Sequence, residues 1–425
     1  MGPFLGGFGV LLALGVPIAL ALGLASFGYL FFTGNIGLMK IFPQRIFGSV
    51  DQFVLLTVPL FLLAGNLMNF SGITERIVRF ANACIGHVRG GLSLVNVIAS
   101  MFFAGISGAA AADTSALGSV LIPAMVRDGY PKAYAAALTA ASSVMGSIIP
   151  PSIIMVIYGV LTGTSIAQLF VAGMVPGVML CIGLSVYAWW MAKTHNYPVM
   201  ERVTFRERAN ATVAAVPVLV LPAIILGGIL FGIFTPTESA AVAVIYALLI
   251  GTLYRTLNWR TIWRPLVDTA LTTSAIMLIV AMASMVQFIF SFERLPEQIT
   301  RFMLGITENR YLLILMINIL LLILGTFLEP IAAMIISLPV LIEVAKVIQI
   351  DPVHFGTIVV LNLAIGLTTP PVGICLFIAC AIGKVSLEEI SRAILPMLMI
   401  GIAVLMIVSY APDVVLFLPS LAFDR

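Results

Sequence analysis

Stretches of about 20 consecutive apolar residues, each long enough to cross a bilayer, follow one another from residue 4 to residue 418. That succession leaves the chain little choice of fold. A soluble domain carries about a quarter charged residues; here 9% of the 425 residues are charged and 61% are hydrophobic. So little polar surface cannot cover so much apolar surface in water. In lipid, backbone amides and carbonyls have to be satisfied within helices, so the expected fold is an all-α polytopic membrane protein. The net charge of +3 gives no reason to expect a nucleic-acid partner. Cys84, Cys181, Cys375 and Cys380 form no CxxC pair and read as small apolar side chains.

Nine spans are expected, near 4–32, 51–70, 133–161, 168–192, 212–234, 240–254, 266–291, 354–382 and 393–418. The first lacks a basic leader and a clear cleavage site, and is read as a retained span. Two further stretches, 92–126 and 311–345, are interrupted at Gly105-Ile106-Ser107-Gly108 and at Gly325-Thr326-Phe327-Leu328-Glu329-Pro330. Halves of about 15 residues reach only ~22 Å against a core of ~30 Å, so each stretch is expected to be a re-entrant hairpin. Nine spans then put the termini on opposite sides. One side holds Lys40, Arg45, Arg294, Arg301, Arg310, Lys346 and Arg425, and the other holds the remaining 14 of the 21 Lys and Arg. That bias predicts a cytoplasmic N-terminus and a periplasmic C-terminus.

The chain repeats itself. At an offset of 220, Gly146, Pro150, Pro151, Ile154, Gly163, Pro176 and Met179 meet Gly366, Pro370, Pro371, Ile374, Gly383, Pro396 and Met399. At an offset of 222, Ile73–Phe80 meets Leu295–Phe302. Each half reads as span, span, amphipathic segment, hairpin, broken span, span. The predicted division is a first repeat over 1–211, a connecting helix over 212–239 and a second repeat over 240–425. Equivalent spans run in opposite directions, the pattern of an inverted-topology repeat.

The breaks carry the chemistry. In Gly146-Ser147-Ile148-Ile149-Pro150-Pro151 and Gly366-Leu367-Thr368-Thr369-Pro370-Pro371, paired prolines remove donors and leave the preceding carbonyls unpartnered. At membrane depth such oxygens have to face protein or a water-filled cavity, and with an added hydroxyl they suit a hard monovalent cation such as Na⁺. Each hairpin tip brings Gly and a hydroxyl, Ser107 in one half and Thr326 in the other. Tip and break together form a candidate cage for one ion per half, the alternative being a structural kink. Helix N-termini starting at the breaks favour an anionic substrate. Asp113 is either a functional carboxylate or a cap for the second half of its hairpin, and Glu329 poses the same choice. Glu238 reads as the cap of its span. Arg45, with Asp51, is an interfacial anchor or a substrate contact. Ser147, Thr368, Asp113 and Arg45 are the candidate substrate residues. His87, His195 and His354 fall in loops or at span ends, which gives no proton relay. No GxSxG, HExxH or Walker A motif is present, so neither an enzyme nor an ATP-driven pump is expected.

Further runs resemble a known family. They are Gln44-Arg-Ile-Phe47, Asp51–Gly65, Ala116–Met125, Gly129-Tyr130, Ala135–Ala141, Ile148–Ile153, Thr235–Ala241 and Asn362–Gly373. Together they are similar to the large membrane (M) subunit of TRAP transporters over essentially the whole chain. The resemblance implies a Na⁺-driven importer of an organic acid (a C4-dicarboxylate, keto acid or acidic sugar such as sialic acid) in a bacterial inner membrane. It implies a small four-helix (Q) subunit, a periplasmic binding (P) protein, and an elevator motion of the hairpins and broken spans. It places one Na⁺ at Ser107, Gly108 and Ala109 with Gly146, Ile149 and Pro151, and another at Gly325 and Thr326 with Gly366 and Thr369. Many members carry Gly-Ser-Ser at the first tip where this chain has Gly108-Ala109-Ala110, so the second copy, with its hydroxyls intact, is expected to be the better site. A stand-alone sodium–dicarboxylate symporter or antiporter is the alternative, with an ion channel and a structural scaffold as further classes.

Overall fold

The computed structural model describes residues 2–197, 202–258 and 261–423. Arg260 and Arg425, two of the residues counted in the charge bias, lie outside that set. Eight helices among the described residues are long and apolar enough to cross a membrane, and no strand occurs among them.

The first expected span is two helices, α1 (Gly2–Ala13) and α2 (Ile18–Phe32). Gly15 turns the chain at φ +79°, a conformation glycine adopts freely, and Pro17 brings no amide to continue the helix. Phe4 packs edge-on against Tyr29 and Phe290 at 6.3 and 5.7 Å between ring centroids. α1 therefore folds back along α2, and the chain's first residues lie level with the end of α2. A single span would have put them at the opposite end.

The connection from α2 runs through α3 (Phe42–Val50) into α4 (Thr57–Phe70) and the amphipathic α5 (Ile73–Ile85). After the connecting helix α11 (Phe205–Leu230), the second half follows the same course with α12 (Pro236–Leu253), α13 (Trp263–Phe292) and α14 (Leu295–Ile306). Gly72 before α5 and Arg294 before α14 occupy the same repeat position, and both are left-handed, at φ +70° and +53°. Thr57 and Thr237 hydroxyls meet at 2.8 Å between α4 and α12. The Arg76 guanidinium lies 3.3 Å from the Tyr254 ring centroid, and Arg208 donates to the Ala83 carbonyl. These contacts tie α5 to α11 and α12. As read from sequence, Glu238 caps α12 in a reciprocal capping box with Thr235.

The first hairpin is α6 (Gly91–Ser107) and α7 (Ala110–Arg127), and the broken span behind it is α8 (Lys132–Ser143) and α9 (Ile153–Thr162). After α10 (Ile166–Thr194) and the linking helices come α15 (Arg310–Phe327), α16 (Pro330–Val347), α17 (Pro352–Gly366) and α18 (Ile374–Gly383). The breaks fall where Gly and Pro-Pro place them. The length argument for re-entry fails in both hairpins: arms of 17 and 18 residues in the first and 18 each in the second reach ~25 to 27 Å. Register supplies the proof instead. Asn96 bonds Thr139 and Ser100 bonds Ser142, so α6 and α8 run parallel and residues 91 and 134 share a level. Asn362 bonds Asn318 through both its backbone and side-chain oxygens at 3.0 Å, and Gly325 packs on Gly366. That makes α15 and α17 parallel and levels residue 310 with 354. Each hairpin therefore leaves by the face it entered.

The two broken spans run antiparallel. Tyr158 of α9 donates to the carbonyl of Pro352 at the start of α17, while Gly383 at the end of α18 packs on Ala136 near the start of α8. One hairpin thus enters from each face, as the inverted repeat requires. The last expected span ends early: α19 (Leu387–Tyr410) is followed by a separate α20 (Pro412–Phe423).

Asn318, Asn362 and Ser409 are buried, and Asn318 donates onward to Ser409 at 2.9 Å. Asn362→Leu is expected to leave the buried Asn318 Oδ1 unpaired, costing about 1–3 kcal/mol and lowering the melting temperature in detergent. An unchanged melting temperature would mean that the hairpin is not anchored there.

Candidate functional site

Both tips and both breaks meet at one level. The first residues of four helices, Ala110 of α7, Ile153 of α9, Pro330 of α16 and Ile374 of α18, all line a cavity of 290 Å³. Leu62 of α4 and Thr272, Ala275, Ile276 and Ile279 of α13 close it from the other side. Helix N-termini present unsatisfied amides and the positive end of the helix dipole. Ser152 caps α9 by accepting from Met155. Glu329 caps α16 by accepting from the amides of Ile331 and Ala332 at 3.0 and 3.1 Å. α7 and α18 have no side-chain cap at the N-cap position, but the Ala110 amide goes to Ser147 Oγ, the Cys375 amide to Leu367 O and the Leu376 amide to Gly373 O; among the described residues the amides of Ala111, Ala112, Ile154 and Ile374 donate to no partner.

Beside the cavity lies the first tip and break. Gly108 turns the tip at φ +67°, and its carbonyl accepts from the amide of Ile153 at 3.4 Å. A Cβ on Gly108 would stand 2.6 Å from the Pro151 carbonyl oxygen, so only glycine lets tip and break approach this closely. The Ala110 amide donates to Ser147 Oγ at 3.3 Å. Among the described residues no backbone amide is donated to the carbonyls of Gly146, Ile149, Pro150 or Pro151. Asp113 is fully buried. One of its oxygens accepts from Ser107 Oγ, and the other, Oδ2, has no partner. A Cβ on Gly146 would collide with that Oδ2, which fixes where the free oxygen lies. Asp113 caps nothing: the N-cap position of α7 is Ala109. A buried carboxylate with one oxygen unpaired, next to carbonyls that lack donors, is an arrangement completed by a cation. No group of three or more His, Cys, Asp or Glu with metal-ligand spacing exists among the described residues. The donor set here is oxygen alone, which suits a hard ion.

The second tip and break are built on two glycines. Gly325 and Gly366 touch backbone to backbone: a Cβ on Gly366 would come within 2.6 Å of the Gly325 carbonyl carbon. The hydroxyls are less free than the sequence suggests. Thr326 donates to Leu322 O at 2.8 Å, and Thr369 donates to Ile365 O at 3.0 Å. Each keeps lone pairs to accept or coordinate, and among the described residues no buried carboxylate oxygen without a partner lies at this junction. At the first copy Asp113 supplies a buried, unpaired oxygen that the tip sequence Gly108-Ala109-Ala110 does not display.

The structure thus brings Ser107, Gly108 and Ala109 together with Gly146 and Pro151 at one junction, and Gly325 together with Gly366 at the other; Ile149 packs on Gly177, and Thr326 and Thr369 stand beside the two glycines with their hydroxyls bonded within their own segments. Among the substrate candidates, Ser147 lines the cavity. Asp113 stands behind the tip, outside the cavity wall. Thr368 faces a separate small pocket with Leu180 and Met397 and donates to Ile365 O. Arg45 is exposed, its guanidinium 5.3 Å from the Phe288 ring centroid, as an interfacial anchor would be. Sequence reasoning missed Thr272, although Thr272-Thr273-Ser274 is a polar run inside an apolar helix and was the available signal.

Comparison with known proteins agrees with this architecture. Residues 5–414 match the family described as "Tripartite ATP-independent periplasmic transporter, DctM component". The chain is 40% identical over 422 residues to the sialic acid TRAP transporter large permease protein SiaM of Vibrio cholerae, covering 99% of this chain and 98% of that one. It is 39% identical over 415 residues to the isethionate TRAP transporter permease protein DctMQ of Oleidesulfovibrio alaskensis, covering 97% of this chain and 65% of that one. In fold it is similar to the YdaH transporter of Alcanivorax borkumensis, with a TM-score of 0.64 at 13% identity over 96% of this chain and 98% of that one. With its two re-entrant hairpins and inverted repeat, the chain belongs to the family of large, DctM-type membrane components of tripartite ATP-independent periplasmic transporters.

Proposed function

We propose that this chain imports an organic acid anion coupled to Na⁺, taking the anion from a periplasmic binding protein and working with a small four-helix membrane subunit. The observation that carries the reading is the single cavity walled by four helix N-termini and flanked by two tip-and-break junctions. The unpartnered amides at the starts of α7, α9 and α18 (Ala111, Ala112, Ile154 and Ile374) attract a carboxylate. Asp113 Oδ2 with the Gly146, Ile149 and Pro151 carbonyls would hold one Na⁺, and the oxygens around Gly325, Thr326, Gly366 and Thr369 would hold a second. A bound cation at either junction adds positive charge beside the cavity and strengthens anion binding, so the two ligands bind cooperatively. The hairpins and broken spans would move together past α4 and α13 as an elevator. The part of the longer DctMQ relative that this chain does not match leaves room for a small subunit there and supports one here.

Two measurements bear on this reading. Thr369→Ala removes a candidate ligand of the second junction and is expected to raise the Na⁺ concentration for half-maximal uptake in proteoliposomes; an unchanged value would remove Thr369 from the ion site. For sidedness, the basic residues of the loops assign residues 76–89 and 127–132 to the cytoplasm and Tyr410 to the periplasm of the inner membrane. Because α1 folds back, its start then belongs to the periplasmic side, in place of the cytoplasmic side expected from one span. A cysteine introduced as Asp128→Cys, with Cys84 and Cys380 replaced, is expected to react only from the cytoplasm; periplasmic labelling would invert the assignment.

A further inference from the structure

Away from the cavity, a groove of 450 Å³ lies between α5 and α7, at the end of the first hairpin remote from its tip. We propose that it seats a zwitterionic phospholipid whose headgroup carries a phosphate and a primary ammonium. The phosphate would lie between Arg79 and Arg127, and the ammonium against Glu75 and Asp128. Each wall is one face of a helix. Glu75, Val78, Arg79 and Asn82 line the groove from α5 at the i, i+3, i+4, i+7 spacing of a single face. The opposite face of α5, with Ile73, Ile77 and Ala81, is buried in the protein. From α7 the groove is lined by Val120, Leu121, Ala124, Arg127 and Asp128, again one face, and Leu92 of α6 completes it.

Polarity is sorted along this groove. Between Arg127 and Val120 the α7 wall passes from charged to apolar within ~10 Å, which is the profile of a phospholipid from its headgroup to its first methylenes. The four charged residues are two of each sign, and all four are exposed. They do not neutralise one another. Glu75 and Arg79 stand one turn apart, a spacing that favours an ion pair. Among the described residues, however, the ion pairs are Lys346 with Glu343 and Arg392 with Glu388, and none involves the groove. Two guanidiniums suit a phosphate. Two carboxylates beside them repel a lipid whose headgroup carries only the phosphate charge, and they call for a donor. A primary ammonium has three N–H groups to give, whereas a trimethylated one has none. A soluble phosphate would satisfy Arg79 and Arg127 but leave the apolar half of the groove to water. Arg76 on the Tyr254 ring and Arg208 on the Ala83 carbonyl hold α5 to α12 and α11. The lipid would therefore join those helices, through α5, to an arm of the hairpin.

The test is native mass spectrometry of the purified complex of large and small subunits, stripped of lipid in detergent. It is titrated separately with dioleoyl phosphatidylethanolamine, phosphatidylcholine and phosphatidylglycerol, and the first is then challenged with inorganic phosphate. The expected result is one phosphatidylethanolamine retained at concentrations about fivefold or more below those needed of the other two lipids, and not displaced by phosphate. Arg79→Gln combined with Arg127→Gln is expected to retain one phosphatidylethanolamine fewer. Glu75→Gln combined with Asp128→Asn is expected to retain phosphatidylglycerol in preference. Because these positions are exposed, both double variants should keep the unmodified melting temperature in lipid-free detergent, which separates loss of the lipid from loss of the fold. Equal retention of the three lipids by the unmodified complex, or unchanged retention by the Arg79 and Arg127 variant, would overturn the proposal. Tighter retention of phosphatidylglycerol by the unmodified complex would overturn the zwitterionic occupant, and displacement by phosphate would overturn a lipid occupant altogether.

Discussion

Asp113→Asn is expected to raise the Na⁺ concentration for half-maximal uptake by at least about tenfold, and to do so with little change in folding. The substitution keeps the side chain's volume and an oxygen to accept from Ser107, so the first hairpin retains its tip contact. What it removes is the charge on Oδ2, which is buried, unpaired and set against Gly146. A full charge about 4 Å from a cation contributes ~4 kcal/mol at an effective dielectric of 20. Tenfold corresponds to ~1.4 kcal/mol, so the effect is expected even if water replaces much of the lost interaction. The purified protein should lose less stability in Na⁺-free buffer than in NaCl, because only in NaCl does the folded state gain from the ion. A variant that keeps its Na⁺ dependence would assign Asp113 a structural role.

Gly366→Ala is expected to abolish Na⁺-dependent uptake and to lower the melting temperature by several degrees. Most overpacked sites relax by moving a side chain, at a cost of about 1–3 kcal/mol. Here the new methyl would meet the Gly325 carbonyl carbon, Cα and carbonyl oxygen at 2.6 to 2.7 Å. Backbone in a helix packed on both sides cannot yield that far without separating the tip from the break. Because α15 is also pinned by Asn318 to Asn362 and Ser409, the strain concentrates at the junction. Gly65→Ala serves as a contrast: its Cβ would lie at 3.3 Å from Ile106 O and Ser107 Cα, across the contact between α4 and the first tip. It should slow uptake without removing Na⁺ dependence.

The helix breaks were legible because their cause is local. Gly and paired Pro forbid a continuous helix wherever they stand, and 144–152, 367–373 and both tips fell where the residues placed them. The same local chemistry was present at Gly15 and Pro17, but the apolar run around them read as one span, and the fold-back is visible only once Phe4 meets Tyr29 and Phe290. Asp113 illustrates the other kind of difficulty. Whether a carboxylate near a helix start caps the helix or binds an ion depends on what packs against it, and here that is Gly146 from a distant segment. For Thr326 and Thr369 the sequence did not display that each hydroxyl donates to the carbonyl a turn before it, as a hydroxyl in an apolar helix readily does. The scaffold wall of the cavity, with Thr272, was hidden because a straight helix gives no local sign of what it faces.

The central claim is that the junction of the first tip with the first break holds a Na⁺ ion through Asp113. Equilibrium binding of ²²Na⁺ to the purified complex of large and small subunits tests it most directly, with unlabelled Na⁺ and K⁺ as competitors. The account predicts saturable binding that Na⁺ displaces and K⁺ does not, with fewer ions bound per protein in Asp113→Asn than in the unmodified chain. Equal numbers of ions bound with equal affinity in the two proteins would contradict it.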